Sequence, residues 1–401
     1  MKFSVLLPTR NRLEYLQLAV ESVLRQDMAD WQLVISDNCS EEDIAGYVSS
    51  LGDSRIVYSR TERVLPVTEN WNRALAASEG RYIVMLGDDD ALLGGYLRRM
   101  DELTREFDDP DVIYTKALLF TYPAVDPDHP AGFLMDHGCA EFFAGASAPF
   151  VLDRAQALEL VRDAMGFRLR YDFNAQFALI SRRLIDSLLP YGAFYQSAFP
   201  DYYSMNAAFL RAGRIVVDPN PRVVIGVTPK SYGFFHVNRR EQEGRAFLDG
   251  TGPSTTAGTN INVGWLSAMT ALEQGPAAEL GLRVNHRRYR FVQAAHVHER
   301  YRAGAIGVDE LRRLERELPR LERWGYRAAS GALGLVHRLL PTRLQAAMIT
   351  VGHRVVGQLP AIAPDIAEGR YRDILDVYDD RSEVRSAGAA QAASRKQIEQ
   401  L

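Results

Sequence analysis

Tyr82-Ile83-Val84-Met85-Leu86-Gly87-Asp88-Asp89-Asp90 is the stretch that decides the fold. Five apolar residues in a row read as a short buried strand, and Gly87 loosens its exit. Three consecutive carboxylates then sit where that strand ends. They repel one another unless a positive charge lies among them. A hard divalent cation with oxygen ligands supplies that charge, and magnesium or manganese keeps substrate phosphates as further ligands. One reading is therefore a metal-diphosphate site at the carboxyl end of a strand. The other is a solvated acidic turn capping a helix near Leu92, since Asp is a good N-cap.

The preceding residues repeat the pattern. Phe3 to Leu7 is an apolar run stopped by Pro8. Leu13 to Arg25 carries Leu13, Leu16, Val20, Val23 and Leu24 at helical spacing. Trp31 to Ser36 is a second strand ending at Asp37, and Ser40 with Glu41-Glu42-Asp43 reads as a helix start. Arg55 to Ser59 is a third strand, and Thr68-Glu69 opens a helix through Ala77. Strands alternating with helices, each strand apolar throughout, predict an α/β fold with a parallel sheet covered on both faces. Ligands bind such sheets at the carboxyl ends of the strands. Pro8-Thr9-Arg10-Asn11, Asp37-Asn38 and Asp88-Asp89-Asp90 all fall there, and three polar clusters on one edge argue for the site.

Further on, Leu92 to Phe107 reads as a helix, Val112 to Phe120 as a strand, Val151 to Met165 as a helix and Gln176 to Ile180 as a strand. Asp201 precedes a helical segment, Tyr202 to Arg211. Arg214 to Val217 and Arg222 to Val227 read as two strands separated by Asp218-Pro219-Asn220-Pro221. Residues 229–258 are polar and rich in Gly and Ser, the composition of a mobile loop over the site. From Ile261 onward the pattern is helical with no clear strand.

The chain of 401 residues is 47% hydrophobic and 24% charged, ordinary globular values whose length suits two domains. A net charge of −4 gives no reason to expect nucleic acid. Two cysteines, Cys39 and Cys139, cannot form a disulfide framework and fit a reducing cytoplasm. No stretch approaches the roughly 18–20 apolar residues of a membrane span, and the N-terminal apolar run is too short for a signal peptide. A soluble, cytoplasmic protein is expected.

Four motifs, in order, resemble the inverting nucleotide-sugar glycosyltransferases of family 2, which have the GT-A fold. Val5-Leu6-Leu7-Pro8-Thr9-Arg10-Asn11-Arg12 is similar to the family's first strand and turn. Val34 to Ser40 is similar to its second strand, and Asn72 to Gly80 resembles its N-x-G-x-x-A-x-G helix, with Ala74 where Gly is common. Tyr82 to Asp90 resembles the strand leading into the DxD motif. The resemblance extends loosely to about residue 235 and implies a Rossmann-like, mixed, mostly parallel sheet sandwiched by helices. The expected organisation is a catalytic domain over 1–260, a mainly helical C-terminal region over 261–385, and an Ala/Gln/Ser-rich tail over 386–401 that reads as frayed or disordered.

By the same resemblance Asp37 reads the nucleobase, and a carboxylate suits a uracil or thymine N3–H donor. Pro8, Thr9, Arg12 and Asn72 face the donor. Asp88 and Asp90 hold Mn2+ or Mg2+ on the diphosphate, with Asp89 a ligand if the motif aligns one residue later. His236 lies where the family sometimes places a metal- or phosphate-contacting residue. Lys230, Ser231, Tyr232, Arg239 and Arg240 could clamp the diphosphate or an anionic acceptor. Inversion needs a general base, and Asp201 in Phe199-Pro200-Asp201-Tyr202 fits that place, although Pro200 stands where the family often has another acid. Asp172 is the alternative base.

The implied activity moves a sugar from a UDP- or dTDP-sugar to a hydroxyl of a glycan or lipid-linked acceptor in bacterial surface polysaccharide assembly. A catalytically inactive sugar-nucleotide-binding or scaffold module is the alternative. A nucleotidyltransferase would need a Gly-rich loop after strand one, and Pro8 to Arg12 contains no glycine. Between Leu321 and Pro360 there are five Arg and one acid, Glu322, with apolar residues from Val336 to Val355 mostly at helical spacing. These helices either pack on the catalytic domain or form a homodimer interface, or they lie on the anionic inner face of a membrane. His286, His296 and His298, among arginines, read as surface residues.

Overall fold

A computed structural model describes residues 1–137, 143, 145–231, 234–235, 260–302, 304, 306–328 and 367–381. The four expected strands form a parallel set. They are β1 (Phe3–Thr9), β2 (Trp31–Asp37), β3 (Ile56–Arg60) and β4 (Tyr82–Met85), lying in the order β3-β2-β1-β4. Phe3 is paired with Trp31 and with Tyr82, and Thr9 with Asp37, so the strands end together at one edge. The interiors of β1, β2 and β4 are buried, as their unbroken apolar runs require. Helices α1 (Leu13–Leu24), α2 (Ile44–Leu51) and α3 (Val67–Ala76) make the crossovers.

The second half makes the sheet mixed. Further elements are β5 (Ala91–Leu92), α4 (Tyr96–Glu106), β6 (Val112–Thr121), β7 (Phe133–His137), β8 (Phe150–Val151), α5 (Arg154–Met165), β9 (Ala178–Ser181), α6 (Arg182–Leu188), α7 (Pro200–Arg211) and β10 (Ile215–Val227). Strand β9 lies antiparallel between β4 and β6, and β10 runs parallel to β6. The fold is the expected Rossmann-like, mostly parallel sheet between helices, followed by α8 (Asn260–Gln274), α9 (His286–Arg302) and α10 (Val308–Glu317).

Several boundaries differ from expectation, each for a local reason. The helix expected from Leu92 starts at Tyr96, because Ala91–Leu92 pairs antiparallel with Val223–Val224 of β10 and Gly95 turns the chain at φ 75°. The helix expected from Val151 starts at Arg154, where Asp153 accepts from the Ala155 and Gln156 amides at 2.8 and 3.2 Å. Ser40 does not cap α2. Asp43 does, accepting from the Gly46 amide at 2.9 Å, while Ser40 Oγ accepts from the Asn11 amide. The strand expected from Gln176 begins at Ala178, after a 3-10 turn over Ala175–Phe177. The two strands expected around Asp218–Pro221 are one strand, β10, with its register shifted there. Two prolines remove ladder donors, and the buried Asp218 carboxylate bridges the irregularity to Asn220 and, at 2.6 Å, to Arg222.

The core does not divide at residue 260. Trp265, Ala268, Met269, Leu272 and Tyr289 belong to the same buried cluster as the sheet, and Trp265 Nε1 donates to the Ala164 carbonyl at 3.0 Å. Asn262 Nδ2 joins α8 to Gln293 and His296 of α9 at 2.9 and 2.8 Å. His298 is buried beside Glu315 rather than on the surface, and burial lowers its pKa. A short strand, β11 (Ala367–Glu368), pairs with β7, where only helix was expected. Tyr371, Ile374 and Val377 then fill a second core cluster with Leu93, Phe120 and Val224. The basic stretch from residue 329 to Pro360 and the tail after residue 385 lie outside the described residues, as do most of loop 229–258 and His236.

Helix α8 approaches closely because residue 264 is glycine: a Cβ there would fall on the Phe199 ring. Gly264→Ala should therefore destabilise the body that holds the sheet, by about 1–3 kcal/mol. Urea unfolding followed by the fluorescence of Trp31, in β2, checks this. An unmoved transition at Trp31 would mean that α8 folds apart from the sheet.

Candidate active site

The site is assembled where the parallel strands end. Leu86 extends β4 by donating to the Leu6 carbonyl at 2.8 Å, and the chain then turns at Gly87. The Gly87 amide donates to Asp90 Oδ2 at 3.0 Å, closing a tight acidic loop. The neighbouring loops interlock through Asn11, which adopts φ 53°. Its Oδ1 accepts from the Glu41 amide at 2.7 Å, and the Leu13 amide donates to Glu42 Oε2 at 2.6 Å. The β1–α1 turn and the β2–α2 loop thus form one wall. Asn is among the few non-glycine residues that tolerate this backbone.

Each of the three aspartates has its own partners. Asp88 Oδ2 accepts from Thr9 Oγ1 and Asp88 Oδ1 from Arg12 Nη1, both at 2.7 Å. The same Nη1 lies 3.3 Å from Asp89, and Arg12 also donates to the Lys230 carbonyl. Asp89 accepts from Ser231 Oγ and from Thr228 Oγ1, the latter at 3.5 Å. Asp90 is turned inward, accepting from Gln176 Nε2 and the Gly226 amide, each at 2.9 Å. Lys230 reaches back to Glu14 at 3.2 Å and to the Asn11 carbonyl at 3.3 Å. The structure therefore brings together Thr9, Arg12, Asp88, Asp89, Asp90 and Lys230, while Pro8 pairs with Ser36 of β2 one residue before Thr9.

The electrostatics follow from crowding. Burial, with Asp89 beside it, pushes the Asp90 carboxyl up to about 8. Burial also raises Asp89, against the pull of Arg12. For Arg12, burial favours the neutral form, but Asp88 and Asp89 outweigh it and hold the guanidinium above its ordinary value. Among the described residues no three His, Cys, Asp or Glu side chains are arranged to surround a metal ion. The acidic loop is nevertheless hard, oxygen-only and short of positive charge at Asp90. That chemistry fits a divalent cation completed by diphosphate oxygens rather than by a protein cage.

Other expected residues are placed differently. Asp37 ends β2 beside Thr9, but its carboxylate is fully buried. It accepts from the Ser40 amide at 2.9 Å and from Tyr58 Oη at 2.8 Å. Asn72 turns to protein backbone: its amide donates to the Thr68 and Tyr195 carbonyls at 2.9 and 2.8 Å and accepts from the Tyr195 amide. Asp201 lies in the first turn of α7, half-buried, with the Tyr202 amide 3.0 Å from Oδ1. Burial pushes its carboxyl up to about 7. Asp172 has His137 Nε2 at 3.8 Å. Phe173 packs edge-on against Tyr202 with ring centroids 5.1 Å apart. The segment that sends Gln176 to Asp90 thus also braces the helix carrying Asp201.

Gln176, Gly226 and Thr228 were not anticipated. Gly226 carried a signal, because an isolated glycine inside a strand marks close backbone approach. A Cβ there would land on the Asp89 carbonyl. Gln176 and Thr228 carried none, since both are set by contacts across the fold.

With this geometry in place, the similarities to known proteins have a location. Residues 4–116, which span β1 to the start of β6, match the model of glycosyl transferase family 2. A putative colanic acid biosynthesis glycosyl transferase of Escherichia coli K12 is 37% identical over 89 residues, covering 22% of this chain and 32% of that protein. An Escherichia coli UDP-Glc:alpha-D-GlcNAc-diphosphoundecaprenol beta-1,3-glucosyltransferase is 30% identical over 94 residues, 23% of this chain and 37% of that protein. This chain thus spans about a third of the length of these curated relatives. The crystal structure of Staphylococcus aureus TarS residues 1–349 aligns at TM-score 0.45 with 17% identity, over 79% of this chain and 90% of that one.

A carboxyl with a folded pKa near 8 and an unfolded value of about 4 holds its proton longer in the folded state. Asp90 therefore lowers stability as pH rises between those values, by up to about 1.4 kcal/mol per pH unit. In EDTA without donor, the wild type should lose stability between pH 5 and 8, and Asp90→Asn should flatten that slope. Urea midpoints across the range test it. Equal slopes would show that Asp90 is ionised throughout.

Proposed function

We propose that this protein is a metal-dependent, inverting glycosyltransferase. It moves a sugar from a nucleoside-diphosphate sugar to a hydroxyl of a glycan or lipid-linked acceptor in surface polysaccharide assembly. The observation that carries this reading is the meeting of Asp88, Asp89 and Asp90 with Thr9, Arg12 and the Thr228–Ser231 turn, at the carboxyl edge of the segment that matches the family 2 model. Thr9, Arg12 and Lys230 line the donor side. Asp88 and Asp90 would hold Mn2+ or Mg2+, whose charge offsets that building on the departing nucleoside diphosphate. Asp37 would meet the base only by sharing an oxygen that already accepts from Tyr58. UDP is favoured by the relative whose name specifies UDP-Glc, and dTDP presents the same N3–H.

Asp201 is the general base of this reading. Its carboxyl titrates near neutrality because it is buried, which matches a base that must take a hydroxyl proton at working pH. Deprotonated Asp201 would accept the acceptor hydroxyl's proton as the oxygen attacks the anomeric carbon. The nucleoside diphosphate departs from the opposite face. Among the described residues no helix is long and apolar enough to cross a membrane. Exposed Leu321 and Trp324, near exposed Arg316 and Arg320, support peripheral contact with an anionic membrane face where a lipid-linked acceptor would lie. The rival reading, a binding module without turnover, draws on Pro200 at the first position of α7, where the family often has an acid.

Nucleoside-diphosphate release from UDP-, dTDP- and GDP-sugars, with Mn2+ or EDTA, tests the proposal. Release should need metal and be lost in Asp90→Ala. With acceptor present, Asp201→Asn should lower kcat by roughly 10²–10⁴-fold with little change in donor KM. The wild-type rate should rise with pH through about 7, since only the ionised carboxylate accepts the proton. Tight metal-dependent donor binding without turnover would favour the binding module. No binding of any donor would sink both readings.

A further inference from the structure

The guanidinium of Arg12 stands where a cation is needed. It is buried, 2.7 Å from Asp88 Oδ1 and 3.3 Å from Asp89, and its other branch is tied to the Lys230 carbonyl. The second oxygen of Asp88 is held by Thr9 Oγ1 at 2.7 Å. Both Asp90 oxygens are also committed, to the Gly226 amide and to Gln176 with the Gly87 amide. We infer that Arg12 is an internal counter-ion that, while also paired with Asp89, competes with the divalent cation for Asp88, one of the cation's two proposed ligands. The metal enters only when Arg12 releases Asp88. This inference rests on the metal-diphosphate reading of the site.

The competition follows from charge. Arg12 and a divalent ion on one carboxylate repel each other at close range in a poorly solvated place, so they cannot share it without cost. A nucleoside diphosphate changes the balance, because its anionic oxygens give the guanidinium another partner. Arg forms bidentate pairs with phosphate as readily as with carboxylate. Release of Arg12 from Asp88 would also loosen its bond to Lys230. Donor and metal would then bind with positive coupling, each making room for the other. Without donor, Arg12 keeps the acidic loop folded and closed to metal.

Direct Mn2+ binding to the full chain, followed by the electron paramagnetic resonance of free Mn2+, tests this without relying on turnover. Without nucleotide the wild type should bind weakly, and Arg12→Gln at least about tenfold more tightly. Arg12→Lys, which keeps the charge but cannot span Asp88 and the Lys230 carbonyl together, should fall between them. Adding UDP should tighten Mn2+ binding more in the wild type than in Arg12→Gln. If Arg12→Gln fails to fold, Arg12→Lys binding more tightly than wild type supports the inference, and equal or weaker binding overturns it. If the wild type binds Mn2+ with UDP but the variants gain nothing without it, only the role of Arg12 falls. If wild type and variants bind no Mn2+ with or without UDP, the metal reading falls and the competition with it.

Discussion

Crowding of three carboxylates at the end of β4 is the constraint on which the rest of the site depends. Two like charges about 4 Å apart at an effective dielectric near 20 repel by roughly 4 kcal/mol, and burial adds to that cost. The chain responds in two ways. Arg12 supplies a full positive charge at Asp88 and Asp89. Backbone amides of Gly87 and Gly226 and the amide of Gln176 supply dipoles at Asp90. Burial and the neighbouring Asp89 still push the Asp90 carboxyl upward. Every element reaching the loop, from β1 to β10, arrives with a donor. A donor set of this kind fixes the loop in space.

The same logic explains the glycines at the site. Gly226 lets β10 run against the Asp89 carbonyl, and only because of that approach can its amide reach Asp90. Strand β10 also holds β5, the two residues directly after the acidic loop, so the loop is pinned at both ends. The Thr228–Ser231 turn follows at once and brings Ser231 onto Asp89 and the Lys230 carbonyl onto Arg12. Residues more than a hundred positions apart in the chain therefore behave as one polar network. Such networks are worth more than their pairs taken singly, and their members should not be treated as independent.

How much of this was legible follows from the range of the interactions. The parallel strands were readable because unbroken apolar runs such as Phe3–Leu7 and Tyr82–Leu86 suit only a sheet buried on both faces. The clustering of Pro8–Arg12, Asp37 and Asp88–Asp90 at one edge followed from strand direction alone. Boundaries failed where a tertiary partner overrode local preference. Ala91–Leu92 looked helical but joined β10, and Asp218–Pro221 looked like a break but was bridged by a buried carboxylate and Arg222. Roles within the site were less legible than its place. Asn72 looked like a donor contact and spends its hydrogen bonds on Tyr195 and Thr68, and Gln176 gave no sign that it would reach Asp90.

The C-terminal part of the chain carries the last step of the argument. Its helical periodicity suggested a separate unit, and periodicity cannot say which surface an amphipathic helix covers. Here α8 lays Trp265, Met269 and Leu272 into the main core, against the helix that bears Asp201. Residues 367–381 close over the far side, where Tyr371 and Ile374 share a cluster with Ala91 and Leu93, next to the acidic loop. The two halves of the proposed chemistry, the metal-diphosphate loop and the general base, are thus each backed by a segment from beyond residue 260. A segment ending at residue 116, where the match to the family model stops, would hold the acidic loop without β10, Gln176 or α7. The residues after the family match therefore complete the site.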